Sequence, residues 1–331
     1  MVGRIGRRVV LGGLAATSVR AAETTVTLGL LHTLSPAPFY MARERGYFAA
    51  EGINLVFRFF DAAQPIAAAA VSGDIDVGVT ALTGGFFNLA DKGLLKVIGG
   101  GLHEEKGFEG SAIIVSNQAF DAGLTSPDRL GGHSVAITQF GSSIHYMVGR
   151  IAEAKGFDVK TVSLRVVQQV ANMLAAVSSG QADATIVIGS QAKQLAAAGQ
   201  AHIIGWVGDI VPYQITALFT TEQTIQRNEP ALRGFAKAFR RGVGDYRTAF
   251  LQPGASPAAI DSAVADITKY VFTGDPAARA KILAGIGYYD DGGALDVADV
   301  KDQLRWFRAQ GLVKGDTDPD AFFDTRFLPV R

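Results

Sequence analysis

The chain has 331 residues, 48% hydrophobic and 19% charged, with 31 basic side chains against 31 acidic ones and no cysteine. That composition excludes a disordered or fibrous chain and gives enough apolar side chains for about two globular domains. The missing cysteine excludes disulfides, thiol catalysis, Cys-ligated zinc and a lipid-anchored N-terminal cysteine, and the balanced charge argues against nucleic acid or an anionic membrane as partner.

Residues 1–21 have the layout of an export signal. Arg4, Arg7 and Arg8 form a basic start, residues 9–19 are mildly apolar, and Ala21-Ala22 supply small residues for cleavage. The apolar stretch is shorter than the roughly 20 residues that a membrane-spanning helix needs. Arg7-Arg8 followed by Val9-Val10-Leu11 resembles a twin-arginine signal, although Gly6 and Val10 depart from its usual pattern; an ordinary Sec signal is the alternative. Removing residues 1–21 deletes four arginines and no acid, so the mature chain is about four charges acidic. Its expected location is the periplasm.

The mature chain opens on "TTVTLGLLHT", read as a buried parallel strand. Ser35 and Pro36 begin a helix carrying Phe39, Met41, Ala42 and Phe48, and Gly52 ends that segment. "INLVFRFFD" is a strand, 65–72 a helix stopped by Gly73, "DIDVGVTA" a strand, 82–92 a helix stopped by Gly93, and "LLKVIGGG" a strand. Strand–helix alternation at this spacing predicts a parallel sheet. The pattern then restarts. "SAIIVS" and "HSVAIT" are strands, and 142–154 is an amphipathic helix with Ile144, Met147, Val148 and Ile151 on one face, stopped by Gly156. "SLRVVQ", a helix through Met173 and Val177, "ADATIVIG" and "HIIGW" follow. After Pro212 comes the strand "QITALFTT", then helices over 229–250, 257–270, 276–285 and 297–310.

One internal echo joins the two halves. "AAVSGDIDVGVTALTG" (69–84) and "AAVSSGQADATIVIGSQ" (175–191) are each a helix end, a glycine stop, an aspartate, an apolar strand and a small polar residue. Aligning Asp76 with Asp183 sets Thr83 opposite Ser190, which predicts two lobes built to one plan.

The blocks "MARERGYFAAEGINLVFRFFD", "AVSGDIDVGVTAL", "LADKGLLKVIGG", "DRLGGHSVAITQFGSSIHYMV", "AEAKGFD", "MLAAVSSGQADATIV" and "RNEPALRGFAKAFRRG" occur in an order that resembles one family. It is the substrate-binding proteins of nitrate/sulfonate/taurine-type ABC importers, similar also to thiamine-pyrimidine precursor binders (NMT1-like). The resemblance covers about residues 26–246, and Gly46-Tyr47-Phe48 with Glu51-Gly52, then Gly73-Asp74-Ile75-Asp76, is its most specific part. It implies a type II periplasmic-binding fold, an α/β architecture of two lobes with a central cleft and a two-segment hinge. Lobe 1 would comprise 22–116 and 214–331, and lobe 2, inserted, 117–213. The implied partners are a small organic anion and an ABC permease in the inner membrane, with the protein acting as a monomer.

In open α/β sheets ligands bind beyond the carboxyl ends of strands. Small polar groups mark four such junctions: Ser35, Thr83, Gly141-Ser142-Ser143 and Gly189-Ser190. A helix N-terminus offers unpaired N–H groups and the positive end of its dipole, glycine admits close approach, and serine adds a hydroxyl donor. The plainer reading of each hydroxyl is a helix cap. Phe39, Phe140 and Tyr213 are the aromatic candidates for contact with an organic ligand, core packing being the alternative for Phe39. The histidines, His32, His103, His133, His145 and His202, lack metal-binding spacing, and no Walker pattern or G-x-S-x-G elbow occurs. No metal, cofactor or catalytic residue is expected. Two alternatives stand beside the transport reading: an enzyme similar to thiamine-pyrimidine synthases, opposed by the missing cysteine and the signal, and a module presenting its ligand to a membrane receptor.

Overall fold

The computed structural model describes residues 23–331; the expected export signal and its cleavage at Ala21-Ala22 lie outside the described residues. β1 (Thr24–Leu31), β2 (Ile53–Phe60), β3 (Val77–Ala81) and β4 (Lys96–Gly100) alternate with the helices Ala37–Glu44, Ala63–Ser72 and Gly84–Ala90. After β5 (Leu102–Glu104) the alternation restarts with β6 (Ser111–Val115), β7 (Ser134–Ile137), β8 (Ser163–Val166), β9 (Ala184–Ile188) and β10 (His202–Trp206). The chain returns through β11 (Tyr213–Gln214) and β12 (Thr216–Thr220), runs through a largely helical segment, and reaches β13 (Tyr288–Tyr289).

These strands form two five-stranded sheets, ordered β2-β1-β3-β12-β4 and β8-β7-β9-β6-β10. In each, four strands run in one direction and a single one, β12 in the first sheet and β6 in the second, runs antiparallel between two of them. β3 and β6 are buried at every position, as their mostly apolar runs lead one to expect of strands inside a sheet. β2 is an edge strand, and its first residues alternate between core and solvent.

The echo between the halves has a physical basis. The Asp76 carboxylate accepts the Thr27 N–H at 2.8 Å, and the Asp183 carboxylate accepts the Ser134 N–H at 2.7 Å, the partners standing 49 positions apart in both lobes. The shift along the chain that carries Thr27 onto Ser134 and Asp76 onto Asp183 also carries Ser35 onto Ser142 and Thr83 onto Ser190.

One expected boundary shifts and one is met. β6 belongs to the second sheet, so the chain crosses between sheets before Ser111 rather than at 117. The helix expected over 229–250 is present, and a short helical stretch from Glu222 precedes it across a kink at Asn228, whose backbone is non-helical two residues before Pro230, which lacks an N–H and crowds the preceding turn.

The crossings are tied together. β5 and β11, one from each passage, pair antiparallel with Tyr213 opposite Glu104, and β13 adds a third strand. Gln214 is fully buried there. Its side-chain amide donates to the Gly101, Leu102 and Thr216 carbonyls, while its backbone N–H donates to Asp299 and its carbonyl accepts from Gln303.

Candidate functional site

A cavity of about 110 Å³ lies between the two sheets. Its walls come from the carboxyl ends of β1, β3, β7 and β9 and from the helices that follow them, where doubly wound sheets bind ligands. Among its lining residues none is charged and none is aromatic. The polar part is hydroxyls and carboxamides; the apolar part includes Leu31, Ile144, Met147, Met173, Ile186 and Ile215.

Ser35, Thr83, Ser142 and Ser143 all line this cavity. Thr83 caps the helix Gly84–Ala90 by accepting the Phe86 N–H at 3.1 Å, and Ser142 caps Ser143–Lys155 by accepting the His145 N–H at 3.3 Å. A hydroxyl that accepts through a lone pair keeps its own O–H to donate. Capping and ligand binding are therefore compatible at these positions, and both residues are buried, where a polar hydrogen requires an acceptor. Ser35 shares a hydrogen bond with the Thr33 hydroxyl at 2.9 Å, and its carbonyl accepts the Tyr289 hydroxyl at 2.6 Å, so the turn after β1 is held in place.

Gly141 has φ +76°, a left-handed turn that glycine enters without strain. Its carbonyl accepts the Gly84 N–H at 2.8 Å, joining the loop of one lobe to the first helical turn of the other. The Gly141 N–H donates to His145 Nδ1 at 3.1 Å, and burial holds the His145 pKa below its ordinary value, so the ring is the neutral acceptor this bond needs.

The other expected residues lie elsewhere. Phe39 is in the core, its ring 4.2 Å from that of Phe239, because its helix turns that face toward Glu222–Phe250. Tyr213 is buried 5.2 Å from Tyr146, and its hydroxyl has no hydrogen-bond partner among the described residues. Phe140 points outward, 60% exposed, because the left-handed turn at Gly141 reverses the chain there. Gly189 packs on backbone: its N–H donates to the Gly110 carbonyl at 2.6 Å, and a Cβ would sit 2.5 Å from the Glu109 carbonyl oxygen. Ser190 lines a neighbouring hollow instead. Helix Gly189–Ala197 begins directly at the end of β9, so Ser190 falls inside the first turn, whereas its counterpart Thr83 stands before its helix as the cap.

Thr33, Gln64, Ser111, Thr138, Gln139, Gln191 and Thr216 also line the cavity and were not singled out from sequence. Thr138 and Gln139 directly follow β7, so the strand-end rule that flagged Ser142 covers them too. Ser111 carries a hidden partner, since its N–H donates to both carboxylate oxygens of fully buried Glu104 at 3.1 and 2.9 Å. Burial pushes the Glu104 pKa up, which favours the neutral acid beside the cavity.

The family model described as NMT1/THI5 like matches residues 34–249. This chain belongs to the NMT1/THI5-like family. Among curated proteins none matches. Solved structures share the fold at low identity. The alkanesulfonate-binding protein SsuA from Xanthomonas axonopodis pv. citri, bound to MOPS, is 17% identical with a TM-score of 0.71, covering 92% of this chain and 100% of that one. The Candida albicans CA3427 gene product, described as having the generic periplasmic binding protein fold, is 15% identical with a TM-score of 0.70 over 93% and 98% of the two chains. The periplasmic nitrate-binding protein NrtA from Synechocystis PCC 6803 is 16% identical with a TM-score of 0.68, over 90% and 84%. The NMT1/THI5-like chain thus has the periplasmic-binding fold, the two-lobed α/β architecture expected from its sequence.

Proposed function

We propose that this protein is a non-catalytic solute-binding component of an ABC importer. It works as a monomer in the periplasm, closing its lobes over a small organic anion and delivering it to a permease in the inner membrane. The observation that carries the reading is the interlobe cavity at the strand ends, into which Thr83 and Ser142 bring hydroxyls that still have a hydrogen to donate. Such hydroxyls, with the first N–H groups of the helix Ser143–Lys155, suit a carboxylate or sulfonate without a charged side chain. The walls favour an aliphatic body over an aromatic one: no ring lines the cavity, and Met147 and Met173 adapt to flexible chains. The family match and the alkanesulfonate-binding neighbour support the same class.

The test is ligand-induced stabilisation of the purified mature protein across alkanesulfonates, aliphatic carboxylates, nitrate and pyrimidines. A ligand at 100 times its Kd stabilises by about 2.7 kcal/mol. Aliphatic anions should give the largest shift. No shift across the panel, with no ligand retained in native mass spectrometry, would overturn the reading.

A further inference from the structure

The cavity continues into a second chamber. Thr33, Ile188 and Gln191 line the first cavity and also line a second, of about 290 Å³. Beyond these shared residues its walls are His32 and Leu34, at the turn after β1, Ser190 and Gln194, on the helix after β9, and the segment 270–273. Between its apolar residues Leu34, Ile188, Val271 and Phe272 this chamber presents neutral hydrogen-bonding groups, the Ser190 and Thr273 hydroxyls and the Gln191 and Gln194 carboxamides.

Its outer wall is built, not merely adjacent. His32 Nε2 donates to the Tyr270 carbonyl at 2.7 Å, the Thr273 hydroxyl donates to the Thr268 carbonyl at 3.0 Å, and the Asp275 N–H donates to the Phe272 carbonyl at 3.0 Å. Among the described non-glycine residues only Gln168 and Phe272 have positive φ. Phe272, at +59°, lines the second chamber, and Gln168, at +69°, lies just before Val170 of the first. A left-handed phenylalanine is strained, and strain of this kind persists where the surroundings fix the backbone, often at ligand clamps.

We propose that the ligand is bipartite and spans both chambers: an acidic head at Thr83, Ser142 and Ser143, an aliphatic middle past Ile188, and a neutral hydrogen-bonding end, hydroxyl or amide, among Ser190, Gln191 and Gln194. The proposal rests on the first cavity being the ligand site. It gives the fourth junction, Ser190, which does not line the first cavity, a place in the site.

Calorimetry on the mature chain tests it, with propanoate, hexanoate, propanesulfonate, hexanesulfonate and the ω-hydroxy forms of the two longer acids as probes. The ω-hydroxyl should improve affinity roughly five- to tenfold over the unsubstituted long acid, the worth of a hydrogen bond in a partly enclosed site. Gln194 is exposed on its helix, so Gln194→Trp can fill the chamber without disturbing the core; it should abolish that gain and leave the short acids unchanged. Short acids that bind with no gain from the ω-hydroxyl would overturn the proposal alone, as would a Gln194→Trp variant that weakens short and long acids equally. Binding by none of the probes would overturn the underlying reading as well.

Discussion

Ser142 and Ser143 separate capping from ligand binding. Both line the cavity, but only Ser142 is a cap, accepting the His145 N–H at 3.3 Å. Ser143 occupies the first helical position and caps nothing. Ser142→Ala should therefore lower stability by about 1 kcal/mol as well as affinity. Ser143→Ala should leave stability within about 0.5 kcal/mol while removing a donor to the ligand. A hydrogen bond to a charged acceptor is worth about 1.5–3 kcal/mol, and each 1.4 kcal/mol is tenfold in Kd. Ser143→Ala should then weaken binding of the best anion from the panel roughly tenfold to a hundredfold. Denaturant unfolding without ligand gives the stability, and calorimetry gives the affinity. If Ser143→Ala binds as tightly as the parent, or loses stability to the same extent as Ser142→Ala, the assignment of its hydroxyl to the ligand is wrong.

Three further outcomes follow from the packing and the charges. Gly149→Ala would place a Cβ 2.2 Å from the Trp306 ring, so the helices Ser143–Lys155 and Val297–Ala309 must separate; a loss of about 1–3 kcal/mol with red-shifted tryptophan emission is expected, and an unchanged spectrum would contradict that contact. Tyr213→Phe removes a buried hydroxyl that has no partner, so stability should stay level or rise by up to about 1 kcal/mol; a clear loss in urea unfolding would mean that the hydroxyl is bonded in solution. Asp299 is held by burial at a pKa of about 6 against an ordinary 3.8. Between those values the folded state keeps a proton that the unfolded state releases, so stability falls as pH rises from 3.8 to about 6. Asp299→Asn, which can still accept from Gln214 N–H and Gln303, should flatten that fall, and identical pH profiles for parent and variant would refute the assignment.

Much of the architecture was legible because it depends on local signals. Apolar runs of strand length, glycine stops such as Gly73 and Gly156, and the paired aspartates gave the alternation, its restart and the equivalence of the lobes. That Thr83, Ser142 and Ser143 line the cavity was legible because strand ends and caps are short-range patterns. The aromatic candidates were not. Whether Phe39 faces a ligand or Phe239 depends on a helix that arrives 200 positions later, and sequence adjacency to a strand end carries no record of that. Ser190 illustrates a finer limit, since the alignment with Thr83 holds while the register of helix onset differs, and that difference turns the hydroxyl into the next chamber.

The strand order has a consequence for how the chain matures. β12 sits between β3 and β4 in the first sheet, yet it is made only after the whole second sheet, β6 to β10, has been completed. As the polypeptide emerges from its N-terminus, the lobe begun second is thus the first whose strands are all present. Until β12 arrives, β4 has no neighbour in its own sheet and β3 keeps an open flank, both apolar and both destined for burial. A chain halted before Thr216 would carry one finished lobe and one with unpaired, sticky edges. The vulnerable interval in the life of this molecule is the wait for five residues, Thr216–Thr220, to slide into the gap.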